Sequence, residues 1–212
     1  SVMPMGVDLI NRFKEVDGNQ RIKKRVVFVG RLVEKKGVEF LLDAFKKVHA
    51  EFSDASLLII GDGPLRESLE LKARNLNVHE SVSFLGGKKS EELPYYYSSA
   101  SIVAVPSVVA SSGDQEGLGL VIIEAMGCGC AVVASDLPAI RDIIDEECGV
   151  LVAPGDSMQL ADKLICLLNN PKRRIEIADA GCEKVRSLFS WEVCGERYLE
   201  ALNAFQRTEP GN

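Results

Sequence analysis

The sequence predicts an α/β domain: a doubly wound parallel sheet of about six strands with helices on both faces and a C-terminal helical tail. Three observations predict it. Short β-rich runs recur at intervals that each leave room for a helix. These runs are apolar almost throughout rather than alternating, which marks strands covered on both faces and hence a parallel sheet. Between them lie segments with helical periodicity, and the order strand, helix, strand, helix persists along the chain.

The strand runs are 26–30, 57–61, 81–85, 102–105, 131–134 and 149–152. The clearest helix is 38–50, where Phe40, Leu41, Ala44, Phe45 and Val48 form one stripe against Glu39, Asp43, Lys46 and Lys47. After the last strand run come three helical segments, 157–169, 171–188 and 191–206, with Pro171 suited to the first turn of the second. Trp191, Tyr198, Leu202 and Phe205 recur at helical spacing and are expected to pack the last helix down. Residues 1–24 read as a linker remnant and lead-in to the domain proper, 25–212. The basic run Arg21, Lys23, Lys24, Arg25 is expected to be a solvated approach to the first strand. The opening residues look like connecting loop, so the chain is expected to be part of a larger protein.

With 212 residues, 46% hydrophobic and 26% charged, the chain has the makings of one core, which excludes disorder and low-complexity folds. The uncharged apolar strand runs, such as 57–60, fall far short of the roughly 18 residues of a membrane span. A net charge of −6 lacks the positive field of a nucleic-acid binder. The cysteines 128, 130, 148, 166, 182 and 194 include no C-x-x-C pair and read as reduced core residues of a cytoplasmic protein.

In an open parallel sheet ligands bind beyond the carboxyl ends of the strands, so the following loops are where chemistry is expected. The first strand runs into Gly30-Arg31, and Lys35-Lys36-Gly37 precedes the next helix. Such cations could hold a diphosphate, with ordinary surface charge as the alternative. The second strand runs into Gly61-Asp62-Gly63-Pro64, a common turn by itself. Neither loop completes G-x-G-x-x-G or G-x-x-x-x-G-K-[ST]. The fourth strand opens a polar loop that leads to Glu116-Gly117-Leu118-Gly119-Leu120 and on to Glu124 inside an apolar helix. There the glycines and the helix dipole make an anion site at about Leu118 to Val121. Helical rise throughout would separate the carboxylates of Glu116 and Glu124 by roughly 12 Å, so they could bracket a long ligand with an anionic middle. An unpaired charge at Glu124 would be costly among Val121, Ile122, Ile123, Ala125 and Met126. Tyr95-Tyr96-Tyr97 reads as a helix packed on the sheet.

Taken together, Gly30-Arg31-Leu32 to Lys36-Gly37, Ile60-Gly61-Asp62-Gly63-Pro64, Phe84-Leu85-Gly86, Pro106-Ser107 and Glu116-x7-Glu124 resemble the C-terminal, Rossmann-like donor-binding domain of GT-B retaining glycosyltransferases of the glycogen-synthase-like, family-four group. The resemblance implies a nucleoside diphosphate sugar as donor substrate and no cofactor. Arg31 and Lys36 would bind the diphosphate and stabilise the leaving group in place of a metal. Glu116 would face the donor sugar and Glu124 the ribose hydroxyls. The amides of Gly117, Leu118, Gly119 and Leu120 would meet the phosphates, Gly30, Gly61 and Gly63 would line the site, and backbone near Gly86 and Lys88 would contact the base. It also implies an N-terminal domain carrying the acceptor site, with peripheral membrane association of the full-length enzyme. No D-x-D pair is present, in keeping with metal independence. Gly117-Leu118 departs from the family's commoner pair and leaves the sugar open. A sugar-nucleotide epimerase of the same fold and a non-catalytic nucleotide-sugar-binding module are the alternatives.

Overall fold

The computed structural model describes residues 5–16, 18, 21–117 and 119–208, with backbone alone at 204–208. Six strands form one sheet: β1 (Arg25–Val29), β2 (Ser56–Ile60), β3 (Val82–Gly86), β4 (Ile102–Val105), β5 (Ala131–Ser135) and β6 (Val150–Val152). Their order is β3-β2-β1-β4-β5-β6, and every neighbouring pair is parallel. The helices are α1 (Val38–Glu51), α2 (Arg66–Asn75), α3 (Leu93–Ser99), α4 (Leu120–Gly127), α5 (Pro138–Arg141), α6 (Ser157–Asn169), α7 (Pro171–Phe189) and α8 (Trp191–Thr208). The fold class read from the sequence is the one observed, with strand boundaries displaced by about one residue.

Successive strand residues feed opposite cores. Val26 and Phe28 of β1 join Leu41, Phe45 and Val48 of α1 and Leu164 of α6 on one face. Val27 between them joins Tyr97 of α3 and Ile122 and Met126 of α4 on the other. Burying a Leu or Phe side chain contributes about 1.5–3 kcal/mol, so these two faces hold the sheet between its helices.

Two expectations are corrected. Arg21 is no solvated approach: its guanidinium donates to the carbonyls of Cys128 (3.0 Å) and Ala100 (2.9 Å), closing the C-terminal end of α4, where last-turn carbonyls lack helical partners. Nor do Tyr198 and Leu202 pack the last helix down, being 47% and 59% exposed, whereas Trp191, 55% exposed, lies against Gly6 and donates its indole N–H to the Gly6 carbonyl at 3.1 Å. Among the described residues α8 leans chiefly on α7, and its apolar stripe faces away from that contact. The side chain of Phe205 lies outside the described residues. Cys166 is exposed, whereas Cys128, Cys130, Cys148 and Cys194 are buried free thiols.

The lead-in contributes to the core through Val7, Leu9 and Phe13. It is stitched to the end of the chain, with Val7 N–H donating to Phe189 (2.8 Å) and Trp191 N–H to Val7 (3.1 Å).

Candidate functional site at the β1 and β4 crossing

The strand order reverses between β1 and β4, so the loops leaving them diverge and open a crevice at the carboxyl edge of the sheet. The first loop carries Gly30 and Arg31, then a single 3-10 turn, Glu34–Lys36. Gly37 follows in the left-handed region, at φ 61°, and a Cβ there would stand 1.9 Å from the carbonyl oxygen of Pro106. Only glycine lets the chain turn into α1 while touching the end of β4. The Lys36 stem then passes over Gly30, whose missing Cβ would lie 3.6 Å from its Cδ and Cε.

Lys36 Nζ forms an ion pair with Glu116 Oε2, the two side chains being 17% and 12% exposed. The Oγ of buried Ser107 stands 3.5 Å from the same carboxylate oxygen. The β4 loop is clasped to the 3-10 turn at further points. Ser111 donates through its N–H (2.7 Å) and Oγ (2.9 Å) to the Glu34 carboxylate, Val108 N–H to Lys35 carbonyl (2.9 Å), and Lys35 pairs with Asp114 at 3.0 Å. Arg31 is exposed, and its guanidinium has no partner among the described residues.

Helix α4 starts at Leu120, later than the sequence suggests, with Gly119 as its N-cap at φ 57° and no side chain capping it. Residues 116 and 117 precede the helix, so the separation based on continuous helical rise does not apply, and Glu116 instead turns back to Lys36. An uncapped N-terminus leaves backbone N–H groups and the positive end of the helix dipole for an anion. Gly117 is exposed with open space around it. Leu118 lies outside the described residues.

Glu124, one turn into α4, is half-buried and accepts a hydrogen bond from the Tyr97 hydroxyl at 2.9 Å through Oε2. Burial pushes its carboxyl above the ordinary carboxylate range, against the opposing pull of that hydrogen bond and of the Arg12 charge. Tyr97 itself is fully buried, and burial, then the Glu124 charge, raise its hydroxyl well above the usual phenol value. Of the tyrosine run, Tyr97 packs as expected, whereas Tyr95 is 58% exposed.

Gly61 and Gly63 serve the packing of loops. A Cβ at Gly61 would stand 1.9 Å from the Gly30 carbonyl oxygen, and one at Gly63 2.5 Å from that of Leu32. Gly86, at φ 69°, accepts from Gly61 N–H at 2.9 Å. Lys88 Nζ lies 6.0 Å from the Tyr96 ring centroid. Gly86 ends β3 and Lys88 follows it, two strands or roughly 10 Å along the sheet from β1.

All the described site residues predicted from the sequence thus lie at, or in the segments just beyond, the carboxyl ends of β1 to β4. Lys36 and Glu116 are brought into direct contact, with the Lys36 stem over Gly30, while Glu124 is held separately against α3. Sequence reasoning missed the Lys36–Glu116 pair, Ser107 as its neighbour, and Tyr97 as the partner of Glu124.

Residues 10–184 match the family described as "Glycosyl transferases group 1". The chain is 37% identical over 197 residues to a phosphatidyl-myo-inositol mannosyltransferase of Mycobacterium leprae, covering 92% of this chain and 50% of that protein. It is 32% identical over 211 residues to a GDP-mannose-dependent alpha-(1-6)-phosphatidylinositol monomannoside mannosyltransferase of Mycolicibacterium smegmatis, covering 95% and 55%. The chain therefore spans about half the length of these curated relatives. Among solved structures, the C-terminal domain of a group 1 glycosyl transferase family protein (LpcC) from Francisella tularensis superposes with a TM-score of 0.78 at 29% identity, over 88% of this chain and 100% of that one. The matched family and the extent of the match, together with the doubly wound sheet, establish that the chain belongs to the group 1 glycosyl transferases.

Proposed function

We propose that this domain binds a nucleoside diphosphate sugar and forms the donor half of a retaining, metal-independent glycosyltransferase. The observation that carries the reading is the meeting of Lys36 from the β1 loop with Glu116 from the β4 loop at the point where the sheet reverses. A cation and a carboxylate held there, beside the unpartnered Arg31 and the uncapped start of α4, suit a ligand with an anionic middle and a hydroxylated end.

When the bond between sugar and diphosphate breaks, negative charge gathers on the diphosphate. Arg31, Lys36 and the first amides of α4 offer fixed positive potential for that charge, the role a metal fills elsewhere. Glu116 holds Lys36 in place and has a carboxylate to offer sugar hydroxyls. Glu124 receives the ribose hydroxyls, and the backbone at Gly86 to Lys88, about two strands away, receives the base. The acceptor site belongs to a separate N-terminal domain of the full-length enzyme, in keeping with the half-length match to the relatives. Those relatives are described as acting on phosphatidylinositol compounds, which supports work at a membrane surface, placed in this proposal at the cytoplasmic face. Among the described residues no helix is long and apolar enough to cross a membrane, so contact with that face would be peripheral.

Calorimetric titration with GDP-, UDP- and ADP-sugars, with and without chelator, tests the reading. GDP-mannose heads the panel because the M. smegmatis relative is described as dependent on it. Binding of one donor that survives chelation is expected; no binding by any donor, or binding abolished by chelator, would overturn it.

A further inference from the structure

We infer that Tyr97 is a positioning residue for the nucleotide: its buried hydroxyl holds one oxygen of Glu124 and so presents the other to the ribose hydroxyls. The inference rests on the proposed role of Glu124.

The phenol has little freedom. Tyr97 is fully buried on α3, its ring lies 6.4 Å from that of Phe13 at a 57° tilt, and its backbone carbonyl accepts from Cys130 Sγ at 2.8 Å. A buried hydroxyl requires an acceptor, and here that acceptor is Glu124 Oε2 at 2.9 Å. A carboxylate has two oxygens, and Oε1 takes no hydrogen bond among the described residues, nor is it a buried atom left without a partner. One oxygen is anchored in the core and the other is left for a ligand, on the helix whose N-terminus the diphosphate would occupy.

The same contact governs charge. The groups acting on Glu124 are Tyr97 from α3 and Arg12 from the N-terminal segment, while the Glu124 charge in turn helps to raise the thiol of buried Cys128 just past the end of α4. Burial disfavours the carboxylate, and the Tyr97 hydrogen bond is the larger of the two influences that oppose this. Because the Tyr97 hydroxyl is itself held well above the usual phenol range, it remains a donor throughout the pH range in which Glu124 titrates. Tyr97 thus both aims the carboxylate and favours its charged form against burial, at 27 residues' separation in the chain.

The experiment compares whichever of GDP, UDP or ADP binds most tightly with its 2′,3′-dideoxy form, against wild type, Tyr97→Phe and Glu124→Gln, between pH 4.5 and 8. Wild type is expected to prefer the ribonucleotide by about tenfold. Tyr97→Phe is expected to lose most of that preference while binding the dideoxy form as wild type does. Its ribonucleotide affinity should also fade at a higher pH on acidification, because the carboxyl has lost a hydrogen bond that favours its charged form. Full preference and an unmoved pH profile in Tyr97→Phe, beside a loss in Glu124→Gln, would overturn the inference alone. Equal weakening of both ligands would assign Tyr97 to packing and overturn it too. Full preference retained in Glu124→Gln would overturn the ribose role of Glu124, and the inference with it. If Tyr97→Phe does not fold, 3-fluorotyrosine at position 97 keeps the ring and strengthens the donor. The pH midpoint should then fall, and an unmoved midpoint overturns the inference.

Discussion

Lys36 and Glu116, 80 residues apart, form a largely buried ion pair that ties the loop after β1 to the loop after β4. Each is a candidate ligand group, so the candidate cation is neutralised by the candidate carboxylate. On the proposed reading, a donor would insert its diphosphate and sugar beside a pair already formed. The residues that would meet it are therefore oriented before it arrives, which lowers the cost of ordering them on binding.

A double-mutant cycle with Lys36→Met and Glu116→Gln, followed by urea unfolding, measures that pair. Each single change leaves the other group covered without its partner and is expected to destabilise by about 1–3 kcal/mol, with the double variant less destabilised than the sum. Strict additivity would mean that the pair contributes nothing to stability.

Arg31→Ala is expected to leave stability within about 0.5 kcal/mol of wild type, because the side chain is exposed and unpartnered. Its affinity for a nucleoside diphosphate should fall by about 1.5–3 kcal/mol, the scale of a hydrogen bond to a charged group. Titration with the matching monophosphate provides the control. An equal loss there would show that Arg31 does not read the diphosphate.

Glu124→Gln should separate stability from binding. Burial raises the Glu124 carboxyl above its unfolded value, so the stability it confers is present below the unfolded pKa and lost as pH rises through the folded one. At neutral pH the ionised carboxylate is a cost that glutamine lacks. The variant's melting temperature relative to wild type should therefore be higher at pH 7.5 than at pH 4.5, by roughly 2–4 °C. Nucleotide affinity at pH 7.5 should fall by about 1–3 kcal/mol at the same time. A melting difference that is flat across this window would remove the burial argument.

Gly37→Ala is expected to destabilise the domain by about 3 kcal/mol or more. It combines a left-handed backbone with a Cβ 1.9 Å from the Pro106 carbonyl, so either the start of α1 or the end of β4 must move. Thermal melting is the measurement, and an unchanged midpoint would show that the two loops can part freely.

The sequence by itself determined the elements and their layering. Each strand is a short apolar run, each main helix carries its own periodicity, and α1 and α6 begin where the pattern begins, at Val38 and Ser157. Such signals are local, because backbone geometry repeats every two or 3.6 residues and burial imposes that period on neighbouring side chains. The segments bearing Arg31, Lys36, Glu116 and Glu124 were legible for a related reason: in a parallel sheet all strands run the same way, which places their carboxyl ends and the segments after them at one edge. What only the tertiary structure decided was which groups on those loops meet. Lys36 finds Glu116, Tyr97 finds Glu124, and Arg21 finds the end of α4, across 80, 27 and 107 residues. None of these pairings has a period, and the same residue types on solvated loops would read identically. Arg21 looked like one member of an exposed basic run, and Trp191, Tyr198 and Leu202 like a stripe that must be covered. A side chain's partner is set by the crossing of strands and loops in three dimensions, where desolvation and hydrogen bonding select one neighbour from many compatible with the sequence.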